Sequence, residues 1–184
     1  VTDELMERVE RTIIQPTVNG LAAEKIIYKG FIYVGLILVG NDPYVIEYNC
    51  RMGDPETEVV LPRLKNDLVQ LFENCAKGTL GRVRIRADKK IATTIFLVSG
   101  GYPDHYEKGK VMSGLDQVKG SLAFHAGTRR QSDEVLTHGG RVLALTSLGK
   151  DLKAAIRKSR RNAKVVQFEG KYYRRDIGKD LESL

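Results

Sequence analysis

Leu5, Met6, Val9 and Ile13 recur at helical spacing behind Thr2, which predicts an amphipathic helix at the start of the chain. Thr2 suits its N-cap, and Asp3 and Glu4 complement the positive end of its dipole. Pro16 is expected to interrupt it, with a second short helix running to about Ile27. The period then changes. Phe31 to Val39 is apolar on both faces and rich in β-branched residues, the pattern of a strand buried on both sides. Asn41-Asp42-Pro43 is turn chemistry, and Tyr44 to Arg51 reads as the second strand of a hairpin. Asp54 and Pro55 read as the N-cap and first residue of a helix that Pro62 ends or kinks within two turns. A further helix, Asn66 to Lys77, places Leu68, Leu71, Phe72, Cys75 and Ala76 inward.

Past Gly78 and Gly81 the pattern turns mainly to strands: Ile91 to Ser99, Leu122 to Ala126 and Arg141 to Ser147. One helix, about Lys150 to Lys164, turns Leu152, Ala155, Ile156, Ser159 and Ala163 inward and Arg157, Lys158, Arg160 and Arg161 outward. Tyr172 to Arg174 suits a final short strand. The class is α+β, with a domain boundary expected near residues 80–90.

Charge sharpens that boundary. Residues 1–80 hold 8 Lys and Arg against 12 Asp and Glu, a balance of −4, while 81–184 hold 22 against 11, a balance of +11. A basic half invites a nucleic-acid reading. No nucleic-acid motif accompanies the charge, so a solvated basic face or attraction of phosphorylated metabolites is preferred, and nucleic acid is not expected as a partner.

Composition adds exclusions. With 42% hydrophobic residues over 184 positions, the chain has material for a core and is not disordered as a whole. Its longest apolar stretch, Phe31 to Val39, is far short of the roughly 18–20 residues of a membrane-spanning helix. Two cysteines, Cys50 and Cys75, make neither a disulfide framework nor a closed zinc site, so a reducing, cytoplasmic setting is expected. No charged n-region with an apolar h-region opens the sequence, so a secretory signal is not expected. It begins at Val1 within helix-like sequence, which suggests a piece of something longer.

The chemistry concentrates between Val45 and Glu58. Alternation along a strand projects Glu47, Asn49 and Arg51 to one face and Ile46, Tyr48 and Cys50 to the other. A carboxylate and an amide oxygen two residues apart are hard ligands that suit Mg²⁺, whose remaining positions phosphate and water fill. Arg51 beside them suits a phosphate or carboxylate. A helix N-terminus directly afterwards suits an anion, and Asp54, Glu56 and Glu58 suit a substrate ammonium. The same alternation also describes an ordinary solvent-facing strand, and Asp54-Pro55 an ordinary cap.

The run from Glu47 to Glu58, and above all Arg51-x-Gly53-Asp54-Pro55-Glu56-x-Glu58, resembles the signature of the phosphoribosylamine–glycine ligase family of ATP-grasp enzymes. Met52 departs from the Phe or Leu expected there. Further resemblances follow in the family's order: Gly30 to Leu36, Gly101-Tyr102-Pro103 with Lys108-Gly109, Phe124 to Thr128, Gly139 to Leu143, and Tyr172 to Gly178. The resemblance implies that 1–85 is the C-terminal half of an ATP-grasp core, an antiparallel sheet with helices, and that 86–184 is a small strand-rich C-terminal domain. It implies ATP-dependent joining of glycine to 5-phosphoribosylamine through glycyl phosphate, in purine synthesis. Glu47 and Asn49 would be ligands of Mg²⁺ or Mn²⁺ at the ATP phosphates, and Arg51 would counter charge developing in phosphoryl transfer. Gly53, Asp54, Pro55 and Glu56 would line the pocket for glycine or phosphoribosylamine.

The family's Gly-rich phosphate loop, its lid and its nucleotide-binding lysines have no counterpart in 1–184. The missing N-terminal part of the same polypeptide is therefore an expected partner, and the chain alone is expected to be inactive. The alternatives are a basic nucleic-acid-binding module or another ATP-grasp ligase such as a carboxylase subunit, the latter disfavoured by the Arg51–Glu56 run. His105, His125 and His138 lack ligand spacing and read as structural or surface residues. Cys50 reads as a small core hydrophobe.

Overall fold

The computed structural model describes residues 2–181, and Leu184, the end of the expected second domain, lies outside them. The chain is α+β and forms two compact units, one of residues 1–54 and 66–85, the other of 55–65 and 86–184.

In the first unit, α1 (Asp3–Val9) begins where Thr2 Oγ1 accepts the Leu5 N–H at 3.2 Å. The expected break at Pro16 does not occur. A π-helical turn, Glu10–Ile14, carries the chain directly into α2 (Gln15–Ala23) with Pro16 in its first turn. The wider turn absorbs the proline, whose ring and missing N–H conflict with a regular α-helical register. Val9 and Ile13 are buried, and α2 ends at Ala23, short of the expected Ile27.

Strands β1 (Tyr33–Val39) and β2 (Asp42–Asn49) form an antiparallel two-stranded sheet. The turn is the pair Gly40-Asn41, not Asn41-Asp42-Pro43. Gly40 sits at φ +63°, where a hairpin of two loop residues needs a left-handed conformation, and Asp42 already pairs with Val39. The expectation of a strand buried on both faces fails within this unit: Leu36, Ile37, Leu38 and Val39 are 38–60% exposed. Apolar composition alone does not distinguish a strand that is buried from one that awaits a cover. Helix α4 (Leu68–Lys77) is capped by Asp67, whose carboxylate accepts the Gln70 N–H at 2.9 Å, and ends at Gly78 in the left-handed region. Leu71 is buried as expected. Phe72 is exposed, although it meets Phe31 edge to face with ring centroids 6.0 Å apart.

The second unit holds two antiparallel three-stranded sheets. Strands β3 (Ile91–Val98), β5 (Leu122–His125) and β8 (Arg141–Gly149) form one, in the order β3-β8-β5. Strands β4 (Val111–Met112), β6 (Thr128–Gln131) and β7 (Glu134–Thr137) form the other, in the order β4-β7-β6. Helix α5 (Leu152–Val165) packs on β3 and β8 and turns Ala155, Ile156, Ser159 and Ala163 inward as expected, with Asn162 added. Ile95, Leu97, Val142, Leu143, Leu145, Ala163 and Val166 make the core, each at most 1% exposed. Short helix α3 (Thr57–Val60) continues into a 3₁₀ turn at Leu61–Arg63 that contains Pro62. Segment 55–65 is fastened by the Lys65 N–H to Arg86 oxygen bond and by Arg63 on the Asp88 carbonyl. The closing strand at 172–174 reduces to one bridge, Tyr172 to Val98.

Candidate functional site

Glu47 and Asn49 project from the same face of β2, as alternation demands, and Asn49 Nδ2 donates to Glu47 Oε1 at 3.0 Å. Across the ladder Glu47 lies opposite Gly35 and Asn49 opposite Tyr33. Gly35 is the residue that sequence reasoning left without a role. A Cβ there would stand 3.0 Å from Glu47 Cγ, so the glycine leaves room for the carboxylate over β1. The available signal was a glycine inside an otherwise apolar, β-branched run. Register slips between Gly35 and Leu36, so Ile46 is the extra residue of a bulge immediately before Glu47. Bulges re-aim side chains next to functional positions.

Contacts at three places position the hairpin within its unit. At the tip, Arg8 donates to the Asn41 carbonyl and pairs with Asp42, both at 2.9 Å. Along β2, the hydroxyls of Tyr48 and Thr17 lie 3.0 Å apart. At the base, the Tyr28 hydroxyl lies 2.6 Å from the Phe31 carbonyl and 3.1 Å from that of Cys50. Tyr28 thus ties down the exit of β2 just before the signature run. No sequence pattern distinguished it from other aromatic residues.

Arg51 departs from its expected place. The strand ends at Asn49, so alternation no longer governs the side chain two residues later, and the Arg51 guanidinium donates to the Met52 carbonyl at 2.9 Å. Cys50 is exposed rather than part of a core. Gly53 is buried and Asp54 exposed. Asp54 is not an N-cap: residues 54–56 form a turn, α3 starts at Thr57, and Glu56 occupies its cap position without its side chain capping the helix N–H groups. Pro55, Glu56 and Glu58 are half-buried in the second unit, and Glu58 Oε2 is a buried oxygen with no hydrogen-bond partner. The structure therefore brings Glu47 and Asn49 together, leaves Arg51, Gly53 and Asp54 behind them in the same unit, and carries Pro55 and Glu56 in the other. His105, His125 and His138 are exposed, as their surface reading expects.

The donor set fits a small hard cation. Among the described residues no three of His, Cys, Asp and Glu gather to hold a metal by themselves. A carboxylate beside an amide is the sparse protein contribution that Mg²⁺ accepts when phosphate and water complete its shell. Also among the described residues, no helix is long and apolar enough to cross a membrane.

The comparisons with known proteins bear on the same residues. The phosphoribosylglycinamide synthetase ATP-grasp (A) domain matches residues 1–57, and the phosphoribosylglycinamide synthetase C domain matches 92–180. Phosphoribosylamine–glycine ligase of Chlorobaculum tepidum is 46% identical over 97% of this chain and 43% of its own length. The Vibrio cholerae protein of the same name is 44% identical over 97% of this chain and 42% of its own. A solved structure of phosphoribosylamine–glycine ligase from Thermotoga maritima superposes with a TM-score of 0.85 at 35% identity, covering 96% of this chain and 44% of that one. The chain thus spans less than half the length of the curated relatives it matches.

Proposed function

Because the chain belongs to the phosphoribosylglycinamide synthetase family, we propose that it forms part of an enzyme that joins glycine to 5-phosphoribosylamine at the expense of ATP, through glycyl phosphate. The observation that carries this reading is the Glu47–Asn49 pair, set in front of the Arg51–Glu56 run in a chain whose relatives are named as that ligase. Glu47 and Asn49 hold Mg²⁺ or Mn²⁺, which supplies charge neutralisation at the ATP phosphates. Arg51 exchanges its bond to the Met52 carbonyl for a phosphate or acyl-phosphate oxygen, a stronger charge-assisted contact. Gly53, Asp54, Pro55 and Glu56 line the pocket for glycine or the amine, where a carboxylate orients an ammonium and an ordered turn excludes water.

Residues 1–85 then serve as the later half of the ATP-grasp core and 86–184 as the C-terminal domain, a division supported by the two family matches. The remaining ATP cradle is assigned to the part of the relatives' length outside this chain. The exposed apolar hairpin supports this, since an isolated two-stranded sheet with its apolar residues in water is marginal by itself. The setting is cytoplasmic, where purine precursors are made.

The test is ADP release that depends on glycine, phosphoribosylamine and Mg²⁺. The 184-residue chain alone is expected to give none; turnover matching a complete ligase rejects the division of labour proposed above. In the complete protein, Glu47→Ala is expected to abolish ADP release while the unfolding midpoint stays unchanged, and near-normal turnover removes Glu47 from the metal.

A further inference from the structure

Between residues 150 and 164 the chain carries Lys150, Lys153, Arg157, Lys158, Arg160, Arg161 and Lys164 against a single acid, Asp151. That acid is spent locally, accepting the Ala154 N–H at 2.7 Å as the N-cap of α5. Helical spacing places Lys153, Arg157, Arg160, Arg161 and Lys164 in one stripe, away from the arc of Ala155, Ser159, Asn162 and Ala163 that is buried. With Ile156 they line a groove of about 370 Å³. Among the described residues, Lys153, Arg157 and Lys164 are in no ion pair. Arg160 and Arg161 donate to the carbonyls of Ile177 and Lys119, which are dipoles and leave the positive charge uncompensated.

We propose that this face of α5 binds the phosphate backbone of a duplex nucleic acid without reading its sequence. The nature of the stripe selects that occupant. It is of one sign over three helical turns, a length of about 16 Å at 1.5 Å per residue. It lacks an apolar anchor, since Ile156 is only 2% exposed, so a protein partner would find no desolvated centre of the kind that dominates protein interfaces. Exposed pairs with carboxylates each contribute too little to hold a complex by charge alone. On a polyphosphate, by contrast, every contact releases condensed counterions, and charge alone gives affinity. The groove also has no aromatic residue to stack on an unpaired base, which favours a duplex over a single strand. This placement locates on one helix face a use for the basic surplus that the sequence raised only for the second half as a whole and set aside for want of a motif.

Fluorescence anisotropy with a labelled DNA duplex of about 20 base pairs at about 50 mM salt tests the proposal. Binding is expected, with affinity falling as roughly the third to fifth power of salt for four to five phosphate contacts. The double variant Arg157→Gln, Arg161→Gln is expected to lower that exponent by about two and to weaken duplexes of different sequence equally. Arg157→Lys with Arg161→Lys keeps the exponent, and unchanged circular dichroism in both variants separates lost charge from lost fold. Absence of binding at low salt overturns the proposal, as does an exponent unchanged in the Gln variant. Competition by poly-glutamate as effective as by duplex, charge for charge, overturns it in favour of an acidic protein partner.

Discussion

The two units invest their apolar residues in opposite ways. In the second, β3, β8 and α5 enclose a core in which Leu97, Val142, Leu143 and Leu145 are wholly buried. In the first, the buried hydrophobic residues are Val9, Ile13 and Leu71 among those described, while β1 and β2 hold Ile37, Leu38, Val39, Tyr44 and Ile46 at 51–65% exposure. The unit that carries the candidate metal ligands is therefore the one without a finished core of its own. Stability and chemistry are lodged in different places, and the site depends on surfaces that the chain by itself leaves open.

The comparison breaks first at the core. Leu143→Ala is expected to cost about 2–5 kcal/mol in urea unfolding, because a wholly buried side chain leaves a cavity. Ile37→Ala in the same chain should cost under about 0.5 kcal/mol, and equal losses would mean that both units are equally packed. A smaller effect belongs to the buried hydroxyls of the second unit. Ser159 Oγ lies 3.2 Å from the Thr93 carbonyl and 2.8 Å from Ser147 Oγ, donating its proton to one of them, so Ser159→Ala is expected to cost about 1–3 kcal/mol by stranding polar partners. In the first unit, Asp67→Ala removes a cap and should cost about 1 kcal/mol, read as lost hydrogen-exchange protection within α4.

The smallest effect is one of pH. The hydrogen bond and ion pair from Arg174 hold the exposed Asp176 carboxyl at about 2, below the ordinary carboxylate range. A carboxyl whose folded pKa is depressed stabilises the fold above its unfolded value, and that contribution disappears as pH falls from about 4 to about 2. Asp176→Asn is expected to shallow the acid-unfolding curve across that window and to leave stability at neutral pH nearly unchanged, since exposed pairs contribute little. A curve of unchanged slope would show that the pair is not maintained in solution.

Much of this was legible in the residues. Spacing located α1, α4 and α5, and the caps Thr2 and Asp67 act as their side chains allow. Strands β3, β5 and β8 are long or apolar enough to announce themselves. Strands β4, β6 and β7 span two to four residues and are polar or flanked by polar sequence, so their pairing is set by neighbours rather than by local pattern. At the candidate site, alternation correctly put Glu47 and Asn49 on one face, because both lie inside a paired strand. It failed for Arg51, which lies beyond the last ladder residue. Gly35 and Tyr28 escaped notice because their contribution is steric room and a tether, and neither leaves a chemical signature in sequence.

The excursion of residues 55–65 has a consequence for modularity. The chain leaves the first unit after Asp54, returns at Asn66, and leaves again after Ile85. Neither unit is a continuous stretch, so no single breakpoint separates them intact. A recombination event or an engineered truncation at residue 85 would strip the second unit of the strip that Arg86 and Asp88 hold in place. The chain crosses between the units three times, and the signature run that spans Asp54 and Pro55 holds the first of those crossings.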